Sequence, residues 1–213
     1  MNRALIVLGG EAPGAAFLRE LSATCDYVLC ADHGLDAALA AGIRIDGVIG
    51  DFDSAKPTSV DYMKAQHIPH IVYPSIKDDT DGMACVRFIL ERKPTEVVLT
   101  GASGGRFDHY LANFQLLIYL EKHGVHACIS EESMTGWAVS GEKTVVGTPG
   151  DLLSVLQLSD RLVVSETGLF YPLDHHEFEL GYPLGVSNVL TEREAKVTVH
   201  EGWAIVLHYP AKK

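Results

Sequence analysis

The chain has 213 residues, with 17 basic and 28 acidic side chains and a formal net charge of −11. That length allows one or two domains with a substantial core, while the acidic balance excludes a broad electrostatic footprint for DNA or RNA. An anionic substrate then needs a cation or a local basic patch, and the opening apolar run, Ala4 to Leu8, is too short for a signal-peptide core or a membrane span. A soluble, cytoplasmic protein is expected.

In chain order, short apolar runs at Ala4–Leu8, Tyr27–Ala31, Gly47–Ile49, Ile68–Tyr73, Glu96–Thr100 and Val125–Ile129 read as strands. Between them, Gly34–Ala41, Gly82–Glu91 and His109–Lys122 carry apolar residues at spacings of three and four, the mark of amphipathic helices. Lys56–Gln66 reads as a solvated helix and loop. Such alternation predicts a mostly parallel, Rossmann-like sheet covered by helices, with ligands beyond the carboxyl ends of its strands.

After about Ser130 the texture changes. Thr144–Val146, Leu152–Leu158, Leu162–Ser165, Ala195–Val199 and Ala204–His208 are short, β-branched and separated by turn residues, which predicts an antiparallel β sandwich or barrel. In Ala195–Val199 the apolar residues alternate with Lys196 and Thr198, so one face is expected to be buried and the other wet. The expected domains are 1–132 (α/β) and 133–213 (all-β sandwich). Trp137 and Trp203 are expected to pack in a core or interface of the second. Cys25, Cys30, Cys85 and Cys128 show no CxxC pair or zinc-finger spacing, which suits reduced thiols, and the pair His175-His176 reads as a solvated loop.

Three segments carry candidate chemistry. Gly50-Asp51-Phe52-Asp53-Ser54 follows a buried strand; on an extended segment residues two apart point the same way, so Asp51 and Asp53 form a clamp suited to a hard cation such as Mg²⁺. Lys77-Asp78-Asp79-Thr80-Asp81 ends the next strand and starts a helix. Capping accounts for one of its carboxylates. Bare carboxylates about 4 Å apart repel by about 4 kcal/mol at an effective dielectric near 20, which a divalent cation would relieve if this cluster faced Asp51 and Asp53. Lys77 can meet phosphate as a point charge or neutralise its neighbours. Thr100-Gly101-Ala102-Ser103-Gly104-Gly105-Arg106-Phe107-Asp108-His109 lies between a strand and a helix. Its backbone N–H groups and helix start suit phosphate, and Arg106 can grip an anion with two donors. His109 and Asn113 share a helical face, and for His109 a core reading stays open.

Taken together, Ala31-Asp32-His33-Gly34, the Asp51 and Asp53 segment, the Asp78 to Asp81 cluster and Gly104-Gly105-Arg106-Phe107-Asp108-His109 with Asn113 resemble, in order and spacing, the motifs of thiamine pyrophosphokinases. Gly168-Leu169-Phe170-Tyr171-Pro172-Leu173 and Gly185-Val186-Ser187-Asn188 look like that family's thiamine-site segments. The resemblance implies an α/β catalytic domain, a thiamine-binding β sandwich, a homodimer, and magnesium-assisted transfer of the ATP diphosphate to thiamine with release of AMP. It implies Asp51, Asp53, Asp78 and Asp81 as metal and catalytic residues, with Arg106 stabilising the transferred group. Asp32, Gly34, Lys77, Gly104, Gly105, Arg106, Asp108, His109 and Asn113 would hold the nucleotide, and Asp81, Tyr171, Ser187 and Asn188 the thiamine. Where the family has Asp-Gly-Gly-Ala this chain has Asp32-His33-Gly34-Leu35, which puts close nucleotide contact by residues 33 and 35 in question. Two rivals stand beside this reading: a haloacid-dehalogenase-type phosphatase with Asp51 as nucleophile, and a non-catalytic thiamine or nucleotide sensor.

Overall fold

The computed structural model describes residues 1–73 and 79–211, so Lys77 and Asp78 lie outside the described residues. Packing divides the chain into two compact units, Met1–Glu132 and Ser133–Lys213.

The first unit contains strands β1 (Arg3–Val7), β2 (Tyr27–Ala31), β3 (Gly47–Gly50), β4 (His70–Val72), β5 (Glu96–Thr100) and β6 (His126–Glu131). Its helices are α1 (Ala15–Ala23), α2 (Gly34–Ala41), α3 (Pro57–Ala65), α4 (Asp81–Leu90) and α5 (Phe107–Lys122). The strands lie in the order β6-β5-β1-β2-β3-β4, every neighbouring pair parallel. Four of the five residues of β1, β2 and β5 and all four of β3 are buried, which is why these segments are continuous apolar runs. Since the strands run the same way, their carboxyl ends share one rim. The chain order reverses between β1 and β5, and a parallel sheet opens its ligand crevice at such a switch point.

Local chemistry sets the helix ends. Thr80 caps α4 by accepting a hydrogen bond from the Met83 N–H (3.1 Å), and α2 stops at Gly42 in the left-handed region (φ 67°). Pro57 occupies the first turn of α3, where its missing N–H costs nothing. The expectation of a solvated helix there holds for most of α3, although Ser59 and Met63 turn inward. Helix α1 was not anticipated: Gly14 starts it without a side-chain cap, and only Leu18 is buried.

The second unit contains β7 (Met134–Val139), β8 (Glu142–Val146), β9 (Leu152–Gln157), β10 (Val163–Thr167), β11 (Leu173–Glu177), β12 (Asn188–Val189), β13 (Glu194–Glu201) and β14 (Ala204–Tyr209). They form two antiparallel sets, β12-β9-β14-β7 and β11-β10-β13-β8. One core joins them, with Val139, Val155 and Val206 from the first set and Val145, Val164 and Val197 from the second. Ala195, Val197 and Val199 are buried while Lys196 is exposed, as the alternation predicts. Trp137 packs against this core, with the Lys143 ammonium 4.5 Å from its ring centre.

His175 and His176 correct the loop reading. They belong to β11, whose exposed residues resemble loop in composition, and the His175 ring stacks on His200 at 4.0 Å. All four cysteines are buried and lie outside any disulfide. Among the described residues no helix is long and apolar enough to cross a membrane.

Candidate active site

A cavity of about 1000 Å³ opens on the strand rim of the first unit, lined by the turn after β1 (Leu8–Glu11), the turn after β2 (Asp32, His33), the loop after β3 (Asp51, Ser54), the start of α4 (Asp79–Gly82) and the glycine loop with α5 (Gly104–Arg106, His109, Asn113). It lies at the β1/β5 switch point. A second hollow of about 500 Å³, lined by Leu39, Ile43, Ile45, Tyr62 and Ile68 among others, presents no charged group and does not suit a phosphate.

Asp32, Asp51 and Asp53 each turn one carboxylate oxygen into a cluster whose atoms lie within 4.8 Å of one another. The route to this geometry differs from the expected one. The strand ends at Gly50, Phe52 takes a left-handed backbone (φ 64°), and the Asp53 N–H donates to Asp51 Oδ1 at 3.1 Å. A tight turn, not strand alternation, therefore brings the two carboxylates together. Asp32 joins them because Gly50 lacks a side chain: a Cβ there would stand 2.8 Å from the Asp32 Cβ. Asp32 is itself left-handed (φ 43°), a conformation that Asp tolerates better than most residues.

The cluster carries an unmet electrostatic demand. Asp32 is buried, and its Oδ1 has no hydrogen-bond partner among the described residues. Burial first, then the Asp81 and Asp51 charges, push its pKa above the usual carboxylate range. Three converging carboxylates, one of them buried and incompletely hydrogen-bonded among the described residues, fit a hard divalent cation.

Other residues frame the cluster. The His33 Nδ1 lies 3.1 Å from the Ser54 carbonyl and 3.0 Å from Asp36 Oδ2, and Asp36 also accepts from the Lys56 N–H at 3.2 Å. This ties the acidic loop to α2. His33 has an ordinary helical backbone (φ −60°), so a side chain at this position carries no strain, and it lines the cavity. Leu35 is fully buried in the core, away from any ligand. Gly34 is buried too: a Cβ there would meet the Val7 carbonyl at 2.1 Å, so close packing of α2 on β1 requires this glycine.

On the opposite wall Arg106 spends its two-donor grip on Asp108, with Nε 3.1 Å from Oδ1 and Nη2 2.5 Å from Oδ2. Both side chains are exposed, and an incoming phosphate would compete with Asp108 for the guanidinium. Asp79 is likewise paired with Arg87 at 3.0 Å. Asp81 sits in the first turn of α4 at the cavity edge. His109 is exposed on the cavity wall, which rules out the core reading, and Asn113 Nδ2 donates to the Ala102 carbonyl at 2.9 Å.

In the second unit Tyr171, Ser187 and Asn188 come together. Asn188 is buried with its amide fully engaged: Oδ1 accepts from the Tyr171 and Val189 N–H groups (both 3.0 Å), and Nδ2 donates to the Tyr171 carbonyl (2.8 Å) and Glu166 Oε2 (3.2 Å). The Ser187 N–H donates to Ser154 Oγ at 3.0 Å. Tyr171 and Phe170 are exposed and meet edge to face at 4.8 Å. Asn188 thus anchors the segment that presents Tyr171. Sequence reading missed Glu131 and Glu166. Glu131 lies just past the strand read as Val125–Ile129; Glu166 falls in the inward register of β10, two residues after Val164, and that register was the available signal.

Fold and site together place the chain among α/β proteins that bind ligands beyond the carboxyl ends of parallel strands, with an additional β-rich unit. Residues 18–129 match the family model described as "Thiamin pyrophosphokinase, catalytic domain", and residues 142–204 match "Thiamin pyrophosphokinase, vitamin B1 binding domain". The chain belongs to the thiamin pyrophosphokinase family. It is 28% identical to the thiamine pyrophosphokinase of Bacillus subtilis (strain 168) over 179 residues, 83% of this chain and 84% of the relative. The crystal structure of thiamine pyrophosphokinase from Bacillus subtilis superimposes with a TM-score of 0.87 at 26% identity, covering 99% of this chain and all of that one. The Candida albicans thiamin pyrophosphokinase shares the fold, with a TM-score of 0.85 at 16% identity over 99% of this chain and 89% of that one.

Proposed function

We propose that this chain is a thiamine diphosphokinase, converting ATP and thiamine to AMP and thiamine diphosphate, and that the cavity on the first unit is its nucleotide site. The observation that carries the site assignment is the convergence of the Asp32, Asp51 and Asp53 carboxylates at the switch point of a parallel sheet, with the buried Asp32 Oδ1 unpartnered among the described residues. Asp32, Asp51 and Asp53 would hold Mg²⁺, with Asp81 at the edge of the same cavity and Asp78 outside the described residues. When bound, the cation offsets charge on the phosphate oxygens. We read the first unit as a Rossmann-like nucleotide domain and the second as a thiamine-binding β sandwich.

The protein's own groups do the remaining work by positioning and electrostatics. Arg106, released from Asp108, grips the diphosphate, while Gly104, Gly105, His109 and His33 wall the nucleotide. Asn113 lines the same cavity and holds the Ala102 carbonyl, while Gly34 acts behind the wall through packing. The thiamine hydroxyl oxygen bonds to the β-phosphorus, the bond from that phosphorus to the α,β-bridging oxygen breaks, and AMP departs with that oxygen. The hydroxyl proton passes to the acidic rim or to water. Tyr171 offers an exposed face to a cationic ring, and Asn188 holds it there. The exposed Phe170, Tyr171, Leu180, Tyr182, Leu184 and Val186 support self-association as a homodimer. A cytoplasmic setting suits buried cysteines that lie outside any disulfide.

Acid-quenched single turnovers with ATP labelled at the γ-phosphate separate this reaction from that of a phosphatase. The label is expected in thiamine diphosphate and never on the protein. A phosphoaspartate at Asp51 would overturn direct transfer.

A further inference from the structure

Glu131, at the end of β6, is half-buried behind the glycine loop and outside the cavity lining. Its carboxylate gathers donors from four consecutive residues. Oε1 accepts from the Ala102 N–H (2.7 Å) and the Ser103 N–H (3.3 Å), and Oε2 from the Gly101 N–H (3.3 Å) and the Thr100 hydroxyl (3.5 Å). The carbonyls of the same stretch are equally committed. Thr100 O accepts from the Leu8 N–H (2.8 Å), Gly101 O from the Gly10 N–H (2.8 Å), Ala102 O from Asn113 Nδ2 (2.9 Å) and Ser103 O from the Glu11 N–H (2.6 Å). The amides of residues 101–103, which the sequence offers to phosphate, are therefore already bound to an anion belonging to the protein.

We propose that Glu131 is a positioning residue for the nucleotide: an internal carboxylate that takes up the amides of residues 101–103, fixes the loop, and so presents Gly104, Gly105 and Arg106 to the ATP phosphates. This rests on the reading of the cavity as the ATP site. With both the N–H and the carbonyl groups of residues 101–103 satisfied, the loop is set before the ligand arrives, and binding need not order it. Loss of the carboxylate strands three N–H donors, which would turn to water or to one another and carry residues 104–106 out of place.

The test is steady-state kinetics of the full chain with each substrate varied in turn, for wild type, Glu131→Ala, Glu131→Gln and Arg106→Ala. Glu131→Ala is expected to raise the KM for ATP about tenfold, the equivalent of one lost charge-assisted hydrogen bond, with the KM for thiamine within about twofold of wild type. Glu131→Gln keeps an acceptor for Ala102 and Ser103 but turns an N–H toward Gly101, so it should fall between wild type and alanine. If Glu131→Ala does not fold, Glu131→Gln decides on its own, and an ATP KM above about twofold that of wild type is the expected result. An unchanged ATP KM in the Glu131 variants beside a raised one in Arg106→Ala would overturn the role of Glu131 and leave the site assignment standing. An ATP KM unchanged in all three variants would overturn the site assignment itself. Parallel loss for both substrates would reduce Glu131 to general structural support and also overturn the proposal.

Discussion

Replacing Asp53 by alanine is expected to lower the rate of thiamine diphosphate formation by about a thousandfold at saturating ATP, thiamine and Mg²⁺, the upper end of the loss seen when one group stabilising transition-state charge is removed. The fold should survive. Asp53 is exposed at the tip of its turn and among the described residues its carboxylate accepts from the Ser54 hydroxyl at 2.9 Å, so the thermal midpoint should stay close to that of wild type. Asp53→Asn keeps the shape and removes the charge. If geometry alone mattered it would recover activity; if charge toward a cation matters it stays as inactive as alanine. Initial rates and a melting curve on the same preparations decide between these, and near-normal turnover in either variant would remove Asp53 from the site.

The second large effect is on stability. Glu166 is buried in the β-rich unit, with Oε1 unpartnered among the described residues and Oε2 held by Asn188, and burial pushes its pKa from the ordinary 4.5 up to about 7, against the smaller opposing effect of the Asn188 amide. The sign follows from linkage. The folded state holds this proton more tightly than the unfolded chain, so the stabilisation is fully present below about pH 4.5 and is lost as the pH rises through about 7. At about 1.4 kcal/mol per pH unit the change is on the order of 3 kcal/mol. Urea unfolding of wild type between pH 4.5 and pH 8 should show this decline superimposed on other titrations. In Glu166→Gln the decline should be largely absent, leaving the variant more stable than wild type at pH 8. Equal slopes in the two proteins would contradict the assignment. Since the same carboxylate braces Asn188 and, through it, the Tyr171 segment, its ionisation also bears on how the exposed Tyr171 ring is presented.

Much of the α/β unit was legible because burial on both faces forces strands into unbroken apolar runs. Tyr27–Ala31 and Glu96–Thr100 match their strands at both ends, and Gly34–Ala41 matches its helix. The β-rich unit was less legible: β7 contains Gly136, β11 is mostly polar and exposed, and β12 has two residues, so none carries a strong local pattern. The candidate site could be proposed from the sequence as a set of residues but not as a geometry. Asp51 and Asp53 were identified, yet their approach depends on the left-handed Phe52, which no propensity announces. Arg106 was identified as an anion grip, whereas its pairing with Asp108 depends on side-chain directions at the start of α5. The glycine loop was recognised by composition, but the owner of its amides lies 28 to 30 residues farther along, on a neighbouring strand. Long-range pairing of this kind leaves no local trace in a single sequence.

The most direct measurement is product stoichiometry. The purified protein is incubated with ATP, Mg²⁺ and thiamine, and AMP and thiamine diphosphate are followed together by chromatography against controls lacking thiamine or Mg²⁺. A diphosphokinase gives the two products in equal amounts and neither in the controls. Inorganic phosphate or ADP in their place, or thiamine binding without turnover, would contradict the proposed activity.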